Sequence, residues 1–140
     1  MESRTLCGNP ELGTRMQKAT APDKIWNVVD FFSAKWTEQI ARHNKHNNTE
    51  YNLEPDIKNA PGGLRDIQTI GWVAKRHFGA ETFDELVEHG FLTANELRKL
   101  RTAQAFLWKV RFALHTITGR REDRLLFDHQ SRIAKMFGYE

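Results

Sequence analysis

LEPDIKNAPGGLRDIQ, residues Leu53–Gln68, is the stretch where the helical patterning of the chain stops and restarts. Pro55 and Pro61 each push the residue before them out of the helical region of backbone space, so 51–60 reads as extended or irregular. Gly62 and Gly63 follow, and a helix then opens on Leu64, Arg65 and Asp66. A turn needs only one such residue. Two adjacent glycines between Lys58 and Arg65 describe a backbone kept bare for a close approach. Two readings stand on these residues. In the first, Lys58 and the planar fork of Arg65 meet phosphate. The amides of Gly62 and Gly63, with the helix N-terminus behind them, then add partial positive charge. Asp66 there serves the helix dipole or reaches a metal held by phosphate. In the second, the double glycine is a plain turn and Asp66 a helix-start residue. The stretch is not a Walker loop, because Gly-x-x-x-x-Gly-Lys-Ser/Thr is missing.

On both sides of this corner the apolar spacing is helical. Asn9-Pro10-Glu11 suits the start of a short helix. Pro22 and Asp23 open a second, whose stripe Ile25, Val29, Phe32, Trp36 and Ile40 is spaced by threes and fours as a buried face requires. After the corner, Leu64, Ile67, Ile70, Val73 or Ala74, and His77 point inward, and Gly79 fits the C-cap. Thr82 to Glu85 and Thr93 to Glu96 both match capping boxes. The second box starts a long helix to about Thr118 that presents Leu97, Leu100, Leu107, Val110, Leu114 and Ile117, with Gly119 ending it. Asp128 is placed to cap a last helix carrying Ile133, Ala134 and Phe137. Strand alternation is missing, so the expected fold is all-α, a helical bundle or array of about five or six helices.

The 140 residues fit one domain, and a chain near this size buries roughly 68–70% of its unfolded surface. A net charge of +3 is too small to argue for nucleic acid. Five acids and no Lys or Arg lie in 80–96, against eight bases and three acids in 96–124. These blocks either face each other or form a basic face for an outside partner. The single cysteine, Cys7, excludes an internal disulfide and points to a reduced, cytoplasmic setting. No apolar run approaches the roughly 20 residues of a membrane span. The tryptophans at 26, 36, 72 and 108 read as core, and the six histidines as solvated or packed, His43 and His46 having no carboxylate nearby in sequence.

YNLEPDIKNAPGGLRDIQTIGWVAKRHFG (Tyr51–Gly79) resembles the bifunctional PII uridylyltransferase/uridylyl-removing enzymes of bacterial nitrogen control, the GlnD family. ESRTLCGNPEL, near the start, is similar to the end of their nucleotidyltransferase region, and DFFSAKWTEQIARHNKH to the helix that follows it. Residues 97–139 resemble the helices ahead of their hydrolase domain. The Lys-x-x-Pro-Gly-Gly-Leu-Arg-Asp-Ile run is also similar to one in the adenylyltransferase of glutamine synthetase, but QTIGWVAKRHFG favours the uridylyl enzymes. The resemblance implies a parent that transfers UMP from UTP, with Mg²⁺, to a tyrosine of the PII signalling protein, and that removes it by hydrolysis. It implies an Asp-x-Asp transferase domain, a metal-binding HD domain and glutamine-sensing ACT domains, and none of those motifs occurs in these 140 residues. The chain is thus expected to be the helical linker domain between the two catalytic units of a larger multidomain enzyme. Residues 1–21 would end the transferase region or connect to it, and 22–140 would form the bundle. By itself this domain would lack catalytic residues and bind no metal. Lys58, Gly62, Gly63, Arg65 and Asp66 match the shared run, and a nucleotide- or phosphate-proximal role is what the resemblance adds to them. Ala60 stands where the family more often has Gly. The rival expectation is a protein-interaction module docking PII or a neighbouring domain through the basic 98–124 region.

Overall fold

A computed structural model describes residues 5–49, 51–80 and 82–139. The helices are α1 (Pro10–Ala19), α2 (Pro22–Ile25), α3 (Val28–Asn44), α4 (Leu64–Phe78), α5 (Asp84–Glu88), α6 (Ala94–Thr118) and α7 (Phe127–Phe137). Five of these have ten or more residues, while α2 and α5 are single turns. Among the described residues the only strand-like pairing is one antiparallel bridge, Asp56 with Arg124. The all-α array is therefore as the spacing predicts.

Local chemistry sets most of the helix ends. Asn9 Oδ1 accepts from the Glu11 amide at the start of α1. Thr93 and Glu96 form the full reciprocal capping box of α6. Helices α4, α6 and α7 end at Gly79, Gly119 and Gly138. Three ends differ from expectation, the first being α5, which starts after Phe83 with no side-chain cap, Thr82 only donating to Glu85 Oε1. The helix read as continuous from Pro22 breaks at Trp26–Asn27, because Asn27 caps α3 by accepting from the Asp30 amide at 2.8 Å. Asp128 does not cap α7; the amide of Phe127 is instead satisfied by Glu54 Oε1 at 3.0 Å, from 73 residues away.

The 25-residue α6, roughly 37 Å long, is the spine. Its N-terminal half meets α5 and its C-terminal half α7, while α4 packs on α6 and α3 on α4. One core cluster joins Ile57, Val110, Ala113, Leu114 and Ile133, and a second joins Ala74, Ala80 and Leu86. Leu86 and Leu114 are fully buried, each worth about 1.5–3 kcal/mol of hydrophobic stabilisation.

The expected inward stripe of α3 is not inward. Val29 is 72% exposed and Trp36 54%, and Ile25, Phe32 and Ile40 are exposed as well. Helix α3 turns a mixed face to α4, with Phe31, Lys35, Arg42 and His43 half-buried. Trp26 and Trp108 are also exposed, so of the four tryptophans only Trp72 is half-buried. His77 lies outside as well. Period and spacing identify an apolar face but not what covers it.

Candidate functional site

The corner at 53–66 is built first by Asp56. Its Oδ1 accepts from the amides of Lys58 (2.9 Å) and Asn59 (2.7 Å), folding the chain back on itself. The Ala60 amide then donates to Asp56 O at 3.1 Å and the Gly63 amide to Ala60 O at 2.9 Å. Leu64 and Arg65, the first residues of α4, donate to Ile57 O and Lys58 O at 3.1 and 2.8 Å. The Gly62 amide donates to Asp66 Oδ2 at 2.8 Å, and the Asp66 amide to Gly63 O at 3.0 Å. The Ile57 amide reaches Asp123 O at 2.8 Å. Every backbone N–H from Ile57 to Asp66 is thus donated within the protein. A helix N-terminus ordinarily leaves amides free for an anion; here the preceding loop takes them.

The two glycines serve different needs. Gly62 is exposed with φ +76°, a left-handed conformation that disfavours a side chain. Gly63 has ordinary extended dihedrals but no room. A Cβ there would sit 2.9 Å from the carbonyl oxygens of both Ala60 and Lys58, and 3.0 Å from that of Ile57. The missing side chain admits the turn's own carbonyls. Ala60, in the position where Gly was noted, is buried.

Asp66 is the latch between α4 and α3. Arg42 Nη2 donates to its Oδ1 at 2.6 Å, and His43 Nε2 lies 3.0 and 3.1 Å from its two oxygens. Arg42 Nη1 also donates to Asn59 O at 2.8 Å, so one guanidinium ties the helix start and the loop to α3. His43 therefore has the carboxylate partner that sequence proximity did not offer. Asp66 does not fit a magnesium ligand here, since its oxygens already face a guanidinium, an imidazole and an amide. Among the described residues no group of three or more His, Cys, Asp or Glu is assembled to hold a metal.

On the far side, the corner is held by the 122–126 link, where the Leu125 amide donates to Pro55 O at 2.9 Å. Asp123 there takes the Arg111 Nε bond at 2.6 Å. Burial pushes its carboxyl up, but the Arg111 bond and charge, with Lys58 and His115 adding to them, hold it below the usual range.

The corner also carries two cations. Lys58 and Arg65 are half-buried, and among the described residues neither is in an ion pair. Arg65 lies over the Trp72 ring at 5.4 Å, which holds the guanidinium in place without occupying its donors. In the basic 98–124 region, four of the eight bases are in ion pairs among the described residues. Arg101 pairs with Asp84, Arg111 with Asp123, Arg120 with Glu122 at 3.2 Å and Arg124 with Glu54 at 3.4 Å.

Against protein-family models, residues 30–140 match the one described as GlnD PII-uridylyltransferase. The chain belongs to the GlnD PII-uridylyltransferase family. It is 56% identical over 139 residues to the bifunctional uridylyltransferase/uridylyl-removing enzyme of Nitrosococcus oceani, covering 99% of the chain. It is 53% identical over 139 residues to the protein of that name in Methylococcus capsulatus, again across 99% of the chain. Against that of Pseudomonas aeruginosa it is 55% identical over all 140 residues. In each case this GlnD-family chain spans 16% of the relative's length. No solved structure matches it.

Proposed function

We propose that this chain is the helical scaffold of a bifunctional, cytoplasmic PII uridylyltransferase/uridylyl-removing enzyme. In this reading the Lys58–Asp66 corner forms one wall of the nucleotidyltransferase cleft. Lys58 and Arg65 lie near the triphosphate of UTP, while Gly62, Gly63 and Asp66 give the wall its shape. Transfer of UMP to the PII tyrosine, the Mg²⁺ it uses, and the hydrolytic removal belong to regions outside these 140 residues, because in-line transfer requires metal-binding carboxylates that this corner does not supply.

One observation carries the reading. The corner is closed by its own amides and tied to α3, α4 and the 122–126 link, yet carries two half-buried cations that are in no ion pair among the described residues. A fixed backbone that carries cations outside ion pairs can position an anion without itself reacting.

The test is the full-length enzyme with Lys58→Met or Arg65→Met. Losing a charge-assisted contact of about 1.5–3 kcal/mol lowers UMP transfer roughly 10- to 100-fold, while removal of UMP continues. Normal transfer by both variants, or transfer by the 140-residue chain alone, would refute the scaffold-wall reading. A docking role for PII or a neighbouring domain is favoured by a different observation, the exposed apolar face of α3.

A further inference from the structure

The α4 residue Arg76 has two guanidinium nitrogens without an acceptor among the described residues. It is half-buried, its Nε and Nη2 are shielded from solvent, and neither has a hydrogen-bond partner. Its one neighbour of note is the Phe31 ring of α3, 5.8 Å from the guanidinium carbon. Shielded guanidinium N–H groups are unfavourable unless a carboxylate or carbonyl answers them, and a cation–π contact near its outer distance limit offsets only part of that.

Beyond Phe31 the start of α3 is apolar and exposed. Phe31 meets Trp26 edge-on at 5.9 Å, and Trp26 is exposed. Next along α3, Phe32 stacks on Trp36 at 6.3 Å, and both are exposed, as are Val28 and Val29. Two features thus meet where α4 faces the start of α3: large apolar side chains facing water, and a guanidinium two of whose nitrogens are shielded and unbonded. A single occupant resolves both if it is apolar and carries one negative group.

We propose that the Trp26–Trp36 face of α3, together with Arg76, is the docking surface for an apolar segment of the parent polypeptide outside these 140 residues, and that this segment brings an Asp or Glu side chain to Arg76. The occupant is taken to be intramolecular because the relatives extend far beyond the chain, which spans 16% of their length. The inference rests on the reading of the chain as part of that larger enzyme. It does not depend on where Lys58 and Arg65 point.

The experiment uses the full-length enzyme with a photo-crosslinking amino acid at Val29 or Trp36, and at Ser131, an exposed α7 residue, as the control. The expected result is an intramolecular crosslink from Val29 or Trp36, but not from Ser131, to a peptide outside the 140 residues that contains an Asp or Glu beside apolar residues. Arg76→Met should lower the yield at least several-fold, and Arg76→Lys should retain more of it. Three results would overturn the proposal: no crosslink, a crosslink to a second copy or to added PII protein, or a yield indifferent to Arg76→Met. Should the crosslink fail while Lys58→Met and Arg65→Met still lower UMP transfer, the docking surface is wrong and the cleft-wall reading stands; the opposite pattern separates them the other way.

Discussion

Replacing Asp66 by Ala removes one carboxylate from three partners at once. The side chains of Arg42 and Asp66 are 12% and 16% exposed, so the pair is mostly, though not fully, out of water. Deleting one member of a fully buried pair costs 3–5 kcal/mol as an order of magnitude, and partial access of solvent brings the figure here to about 2–3 kcal/mol. Gly62, exposed, can turn its freed amide to water and adds little. At about 3 °C per kcal/mol for a domain of this size, the melting midpoint should fall by roughly 6–9 °C. Asp66→Asn keeps the shape and an acceptor for Gly62, so it should lose about half as much. Urea unfolding followed by helical circular dichroism measures both. A cycle with Arg42→Ala and the double variant should give a coupling of about 1–2 kcal/mol. A loss below about 0.5 kcal/mol for Asp66→Ala, or a coupling near zero, would refute the view that this carboxylate latches the corner to α3.

The two glycines should respond to different degrees. Gly63→Ala forces a methyl against three backbone carbonyls and should cost about 1–3 kcal/mol; Gly62→Asn, in open space at positive φ, should cost well under 1 kcal/mol. Equal midpoints in denaturant would contradict the packing described. Asp123 gives a prediction in pH. Its folded carboxyl lies below the ordinary value of 3.8, so its contribution is complete above that value and is lost as pH falls through the depressed one. Asp123→Asn should therefore flatten the fall in stability below about pH 4, read from thermal midpoints across an acid series, and an unchanged acid limb would rule this out.

The helix ends of α1, α4 and α6 were legible because caps are local: Asn9, Gly79, and Thr93 with Glu96 act within a turn of the residues they satisfy. The corner itself was legible from Pro55, Pro61 and the glycine pair. The break before α3 carried a signal as well, since Asn27 stands three residues ahead of Asp30 and caps it. What could not be read is what depends on distance along the chain. The Arg42–Asp66 bond spans 24 residues and the Glu54 bond to Phe127 spans 73, and neither leaves a local pattern. The α3 stripe misled for a related reason. Its spacing is that of a buried face, and the described residues supply no cover for it. The double glycine looked bare for a ligand, but the carbonyls that fill the space come from the turn's own loop.

The most direct measurement is a structure of the full-length enzyme holding a non-hydrolysable UTP analogue, with the distance from the Arg65 guanidinium to the triphosphate read from it. The account predicts hydrogen-bond reach, about 3 Å directly or one water further, with the Lys58 ammonium on the same side. A triphosphate more than about 10 Å away, beyond a Debye length at ordinary salt, with the corner turned toward solvent, would contradict it.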